Sequence, residues 1–423
     1  MKKTVIQNRQ FQSNFIWNLV GTTCNAVTSL FYMIIVTRLN GLETAGVFSF
    51  AFSNACVLII IATYTGRTYQ ISEKKYSDRS FINVRICTCL IMFLIAMIMQ
   101  QLFGDTVEKS IMLLTWCGVK MLEAFADVWY GVIQKNDRLD YVGKSLTLKS
   151  IASIGIFIFI DIIYKDVILA SLSVLVINLV ILSGYDYTKY RKYRMRIRKG
   201  NKQEFLAILK NGIFVFGINL LSTYLVNASK YAINNIGNDE AQAIYGIIIM
   251  PATAMTLVGH YLIQPFLVQL SELYMQKKAK EFQRILLKNS GILMIVGLIG
   301  VILVETIGIP ILELIYNTAL SVYKKELVMV ILGAVCYAIF TLFMNALVIM
   351  HKNRIQFVDL LIIGVVVMFS AGKFVQFGSV TGAVILYMIS MFVAVLTVGT
   401  ITNCVLKKEC RQDENSVHNN SSI

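Results

Sequence analysis

The sequence predicts an all-α integral membrane protein, with about 12 transmembrane helices in two parallel six-helix bundles and both termini in the cytoplasm. Three observations predict it. First, 57% of the 423 residues are hydrophobic and only 15% are charged, where a soluble domain carries about 25% charged residues. Second, apolar runs of the length needed to cross a hydrocarbon core, about 20 residues each, recur from end to end. Third, lysine and arginine gather on alternate connecting segments, the positive-inside pattern that sets topology. Backbone in lipid must satisfy its own hydrogen bonds, which leaves helices or closed barrels. These runs are too long and too uniformly apolar for the alternation of a barrel strand.

Taken in order, the runs place spans at 14–36, 44–64, 82–103, 110–133, 146–163 and 167–185. A second six follows at 212–236, 241–262, 285–307, 327–350, 357–377 and 380–406. The first run is long enough to span, so no cleavable signal peptide is expected. The organisation predicted is an N-terminal bundle over 1–188, a basic cytoplasmic linker over 189–210 and a C-terminal bundle over 211–406. A tail over 407–423, rich in Asn and Ser, has the composition of disorder. The net charge of +15 does not point to nucleic acid, because a nucleic-acid-binding protein gathers its basic residues in one folded unit. The linker, dense in Lys and Arg, reads as a segment resting on anionic lipid. Of eight cysteines, Cys24, Cys56, Cys117 and Cys336 lie inside apolar runs, where cysteine behaves as a small hydrophobe. None has metal-ligand spacing, and no metal or cofactor is expected.

The two halves resemble each other. Gly41-Leu42-Glu43-Thr44-Ala45 after the first span parallels Gly237-Asn238-Asp239-Glu240-Ala241 after the seventh. Ser72-Glu73 after the second parallels Ser271-Glu272 after the eighth. Gln134-Lys135-Asn136 after the fourth parallels His351-Lys352-Asn353 after the tenth. Six spans per half give both halves the same orientation, a parallel repeat of the kind transporters use.

Polar residues inside spans are costly, so the face they occupy carries information. At 100° per residue, Asn14, Asn18, Thr22, Asn25 and Ser29 fall within an arc of about 80°. Asn219, Thr223, Asn227, Lys230 and Asn234 do the same in the seventh span. Trp116, Lys120, Glu123, Asp127, Tyr130 and Gln134 share a face of the fourth. Gln242, Thr253, His260 and Gln264 share one of the eighth. A single stripe is explained as well by hydrogen bonding between helices; four together predict a hydrated cavity. Lys120 and Glu123, three apart, are placed to pair. Asp127 then has no partner along its own helix, and Lys230 of the other half is the partner predicted for it. Pro251 and Pro265 mark the eighth helix as a bending element.

The opening Asn14-Phe15-Ile16-Trp17-Asn18, the turn from Arg38 to Phe48 and Trp129-Tyr130-Gly131-Val132-Ile133-Gln134-Lys135-Asn136 carry a resemblance. With the 6+6 layout, the chain resembles the O-antigen and capsule repeat-unit flippases (Wzx-type) of the MOP (MATE-like) superfamily. The resemblance implies a V-shaped fold working by alternating access in a bacterial plasma membrane. It implies an undecaprenyl-pyrophosphate-linked oligosaccharide as substrate, membrane lipids as surroundings, and a polysaccharide polymerase and chain-length regulator as pathway partners. It also implies cationic lumen residues for the anionic headgroup: Lys120, Lys230 and His260, with Arg38 near the outer mouth. Asn25, Asn227 and Asn234 suit sugar hydroxyls, and Glu123 and Asp127 suit ion coupling or pairing between bundles. A drug/cation antiporter of the same superfamily is the nearest rival, but 14–36 contains no acid for cation coupling. A lipid II-type flippase would carry two further spans. A membrane polymerase or glycosyltransferase would need a large extramembrane loop with catalytic acids or arginines, and the longest outer segment, 308–326, has no arginine.

Overall fold

The computed structural model describes residues 2–73, 75–103, 106–194, 198–236 and 239–420. These residues are almost wholly helical and contain no strand. They divide into two compact units, Met1–Leu220 and Leu221–Ile423.

In unit 1, α1 (Lys2–Thr63) holds two predicted spans joined at Gly41, whose φ of 86° and ψ of 177° interrupt the helix for one residue. A positive φ of this kind is open to glycine at no steric cost, so the predicted outer turn is a kink. Asn40, beside it, donates to both carboxylate oxygens of the fully buried Asp161, at 3.0 and 2.8 Å. After Tyr64 and Gly66, both at positive φ, comes the short α2 (Gly66–Ser72). Then follow α3 (Asp78–Phe103), α4 (Val107–Gln134) and α5 (Leu139–Tyr164). Asp166 caps α6 (Val167–Ile181), accepting from Ile168 N at 2.8 Å. A π-helical turn, Leu182–Asp186, leads directly into α7 (Tyr187–Arg194).

The helix therefore runs well into the segment read as a linker. Tyr190 stacks on Trp129 with ring centres 4.9 Å apart, and Tyr187 packs beside it at 5.8 Å. These tyrosines give the basic run a packed face that a count of charges does not register. The helix α8 (Lys202–Ile236) begins eight residues after α7 ends and passes through the boundary between the units. Within unit 1, Glu204 accepts from Ser77 N at 3.0 Å and Ser80 Oγ at 2.9 Å, tying α8 to the start of α3.

The closest helix packing in unit 1 is α1 against α5. A Cβ on Gly21 would lie 2.8 Å from Gly143 Cα, and one on Gly143 would overlap the Trp17 carbonyl. Small residues that let backbones touch are the usual basis of helix association in lipid. Above this contact Tyr32, Phe48, Phe52, Trp116 and Phe157 form one aromatic cluster, with Phe52–Trp116 and Tyr32–Phe157 centres both 4.9 Å apart.

Unit 2 contains α9 (Asp239–Ile248), α10 (Met250–Met275) and α11 (Ala279–Leu303). A second π turn, Val304–Gly308, joins α11 to α12 (Ile309–Tyr316). Then come α13 (Lys324–Ile349) and α14 (Asn353–Asn420), the last kinked at Ser379 (φ 46°, ψ −116°). Ile249 separates α9 from α10 while keeping helical dihedrals (φ −74°, ψ −13°), and Pro251 lies in the first turn of α10, where a missing N–H costs nothing. The α10 backbone is helical through Pro265; the side chains of Pro265 and Gln264 lie outside the described residues.

Two boundaries differ from expectation. The ninth span extends to Tyr316 rather than 307, with Pro310 in the first turn of α12, where its missing N–H is tolerated. The twelfth remains helical to Asn420, through the tail predicted to be disordered. Extending a formed helix avoids the cost of nucleation, which composition does not reveal.

Nine helices among the described residues are long and apolar enough to cross a membrane. Two of these, α1 and α14, each hold two spans across a kink. With α4, whose 28 residues carry too many charges for an apolarity count, the total is the predicted twelve. The repeat is visible in the backbone. Asp137 and His351, both at positive φ after corresponding helices, lie 214 residues apart; so do Lys165 and Ser379. This places the loop pairing of Gln134 with His351 three residues out of register. The counterpart of Gly41, at Gly237, lies outside the described residues.

Candidate functional site

Unit 1 encloses a cavity of about 450 Å³. The fourth helix supplies its charged wall. Trp116, Lys120, Glu123, Asp127 and Tyr130 all line it, as helical periodicity predicts. Facing them are Thr22, Asn25 and Ser29 of α1, Lys149, Ser150 and Ser153 of α5, Asn178 of α6, and Arg67 of α2. Asn25 and Lys120 thus come together with Glu123 and Asp127. The α1 stripe divides between two roles. Its upper members line the cavity. Asn14 binds across helices, donating to Asp137 O and accepting from Asp140 N, both at 2.9 Å.

Each lysine in the wall is matched by a carboxylate. Lys120 Nζ lies 3.0 and 2.8 Å from the two Glu123 oxygens and 5.3 Å from the Phe52 ring centre. Lys149 Nζ lies 2.6 Å from Asp186 Oδ2 and 3.0 Å from the Tyr130 hydroxyl. Ser145 donates to Asp186 Oδ1 at 2.5 Å and meets Tyr130 at 2.7 Å. Asp186 ends the π turn, a feature that recurs at functional sites. Asn178 donates to Ser153 at 2.8 Å. The Trp116 indole N–H and the Ser150 hydroxyl are buried and have no hydrogen-bond partner among the described residues.

Asp127 has partners within its own unit, Arg67 Nε at 3.7 Å and Arg85 Nη2 at 3.4 Å. Arg85, on α3, also donates to the Ala62 carbonyl at 3.2 Å, and Thr88 donates to the same oxygen at 2.7 Å. Spacing along one helix cannot reveal such partners, because they arrive from neighbouring helices.

The other predicted site residues are not among those that line this cavity. Arg38 is exposed on α1, three residues before the kink. Lys230 is half-buried on α8, and on the same helix Asn227 donates to the Thr223 carbonyl at 3.0 Å. Asn234 is half-buried, and its side-chain oxygen has no hydrogen-bond partner among the described residues. His260 is exposed on α10, its ring 6.1 Å from that of Tyr261. Those on α8 and α10 belong to unit 2. Arg67, Arg85, Lys149 and Asp186 were missed. Ser145, Lys149 and Ser153 stand at i, i+4 and i+8, a polar stripe on the fifth span that would have disclosed the lysine.

The backbone matches solved transporters over nearly its whole length. It is similar to a multidrug resistance MATE family transporter of the MOP superfamily in its inward-facing conformation. That match has a TM-score of 0.64 and 15% identity, and covers 92% of this chain and 99% of the other. The chain has the fold of the MOP-superfamily transporters. Lipid II flippase MurJ in an inward closed conformation gives a TM-score of 0.67 at 16% identity, covering 90% of this chain and 86% of MurJ. In sequence, the chain is 22% identical over 395 residues to the capsular polysaccharide biosynthesis protein CapF of Staphylococcus aureus. That alignment spans 91% of this chain and 97% of CapF. No family model matches. The relatives by fold are transporters and flippases, and the chain is a multi-pass membrane protein.

Proposed function

We propose that the chain moves a polyprenyl-diphosphate-linked oligosaccharide across a bacterial plasma membrane for capsule, O-antigen or exopolysaccharide assembly. The observation that carries this reading is the polar cavity inside a membrane-spanning bundle, lined by Lys120, Glu123, Asp127 and Lys149 together with Asn, Ser and Thr side chains. A diphosphate or a sugar can leave water only where charge and hydrogen bonds replace its hydration, and this wall offers both. The likeness to a capsule biosynthesis protein across nearly the full chain supports a polysaccharide precursor over a drug. The absence of any acid from 14–36 supports the same choice against a cation antiporter. The polyprenyl tail stays in lipid, and the 6+6 repeat works by alternating access. Lys120, Lys230, His260 and Arg38 remain headgroup candidates on this reading, with Asn25, Asn227 and Asn234 for sugars.

The test is complementation of a flippase-deficient strain, read as surface polysaccharide. Wild type restores it, and Lys120→Ala does not, although the protein still inserts. Wild-type polysaccharide from Lys120→Ala would remove that residue from the mechanism. Failure of the wild-type chain in strains of several repeat-unit types would refute the reading itself.

A further inference from the structure

The cavity wall holds three cations, Arg67, Lys120 and Lys149, and two carboxylates, Glu123 and Asp127. Behind it stand Arg85 and Asp186, each buried. Lys120 is matched one-to-one by Glu123 and Lys149 by Asp186. Asp127 alone is shared, between Arg67 and Arg85. One positive charge is therefore left over, and it resides at Arg67.

Which cation can change partners follows from what each would leave behind. An incoming anion that took Lys120 would strand Glu123, and one that took Lys149 would strand the buried Asp186. Breaking a buried pair by removing one partner is strongly unfavourable. An anion that took Arg67 would strand nothing, because Asp127 keeps Arg85. The geometry agrees. The Arg67–Asp127 separation of 3.7 Å is too long for a hydrogen bond, while the lysines hold their carboxylates at 2.8 and 2.6 Å. The Arg67 side chain is 26% exposed, against 13% for Lys120, 8% for Lys149 and 5% for Arg85. Arg67 also sits where α1 has ended and a connecting segment of cytoplasmic polarity begins. That is the depth at which a lipid-borne headgroup meets the protein. A guanidinium presents a planar fork suited to phosphate oxygens.

We propose that Arg67 forms a diphosphate-binding site at the cytoplasmic mouth of the unit 1 cavity, and that Asp127 is the internal carboxylate the diphosphate displaces. The proposal rests on the flippase reading only for the source of the diphosphate.

The full chain in lipid nanodiscs is titrated calorimetrically with inorganic pyrophosphate and, separately, with a polyprenyl diphosphate incorporated in the disc. Wild type binds pyrophosphate, less tightly as salt rises. Arg67→Gln weakens binding at least about tenfold, the scale of one charge-assisted hydrogen bond. Arg67→Lys retains most of it, which separates charge from folding. Asp127→Asn tightens binding, because the competing carboxylate is gone. Lys75→Gln, exposed on the same connecting segment, leaves it unchanged. Binding that is tighter for the polyprenyl diphosphate assigns the site to the lipid headgroup; equal binding assigns it to the diphosphate alone. The proposal is overturned if wild type binds neither probe, if Arg67→Gln binds like wild type, or if Lys75→Gln weakens binding as much. Full complementation by an Arg67→Gln chain that no longer binds pyrophosphate would instead count against the transport role while leaving the anion site standing.

Discussion

Replacing Lys149 by methionine is the perturbation whose outcome the structure fixes best. The ammonium lies 2.6 Å from Asp186, whose side chain is 1% exposed, and the lysine itself is 8% exposed. Methionine preserves much of the volume and removes the charge. Among the described residues Asp186 then keeps the hydroxyls of Ser145, at 2.5 Å, and Tyr130, at 3.3 Å. Truncating one member of a buried ion pair costs about 3–5 kcal/mol, chiefly because the other charge is left uncompensated. Asp186→Asn should cost a similar amount by stranding the lysine. The double variant Lys149→Met/Asp186→Asn strands neither, so it should be more stable than either single variant, a coupling beyond the few tenths expected of independent sites. The assay is denaturant-induced unfolding of the detergent-solubilised protein, with the four members of the cycle compared at one protein concentration. Additive costs in the double variant would refute the claim that the pair is a unit. So would a single variant that unfolds at the wild-type midpoint.

Other outcomes follow from features described above. Gly143→Val should prevent assembly of unit 1, since any Cβ there overlaps the Trp17 carbonyl; fluorescence-detected size exclusion would show aggregate in place of a monodisperse peak. Asn40→Ala removes two hydrogen bonds from the buried Asp161 and should cost about 1–3 kcal/mol in the same unfolding assay. Ser379→Gly should raise stability by about 1 kcal/mol, because a serine at φ 46° and ψ −116° is strained where a glycine is not. Cysteines introduced at Lys75 and Lys277 in a cysteine-free background should react with a membrane-impermeant maleimide only after cells are opened. One placed at Tyr164 should react in intact cells.

The span count and the charged face of α4 were legible because each depends on local order in the chain. Lipid demands long apolar runs, and 3.6-residue periodicity sets Trp116, Lys120, Glu123, Asp127 and Tyr130 on one side whatever the neighbours are. The Lys120–Glu123 pair was legible for the same reason. The partners of Asp127 were not. Arg85 and Arg67 reach it from α3 and α2, and the register between helices is set by packing such as the Gly21–Gly143 contact. The kinks at Gly41 and Ser379 show a similar division. Both were expected as turns between spans, yet a single residue off the helical path accomplishes each of them.

The π turn at Leu182–Asp186 has a bearing on how the ancestry of the chain is traced. A wider loop of hydrogen bonds takes up one residue more than an α-turn while advancing the helix by about the same rise. The twelfth helix has no such turn. The halves correspond at an offset of 214 at Asp137 and His351 and again at Lys165 and Ser379, and the extra residue of the turn would shift that offset by one beyond Leu182. A self-comparison in this register would therefore need a gap just where Asp186, the acid that anchors Lys149, enters the bundle.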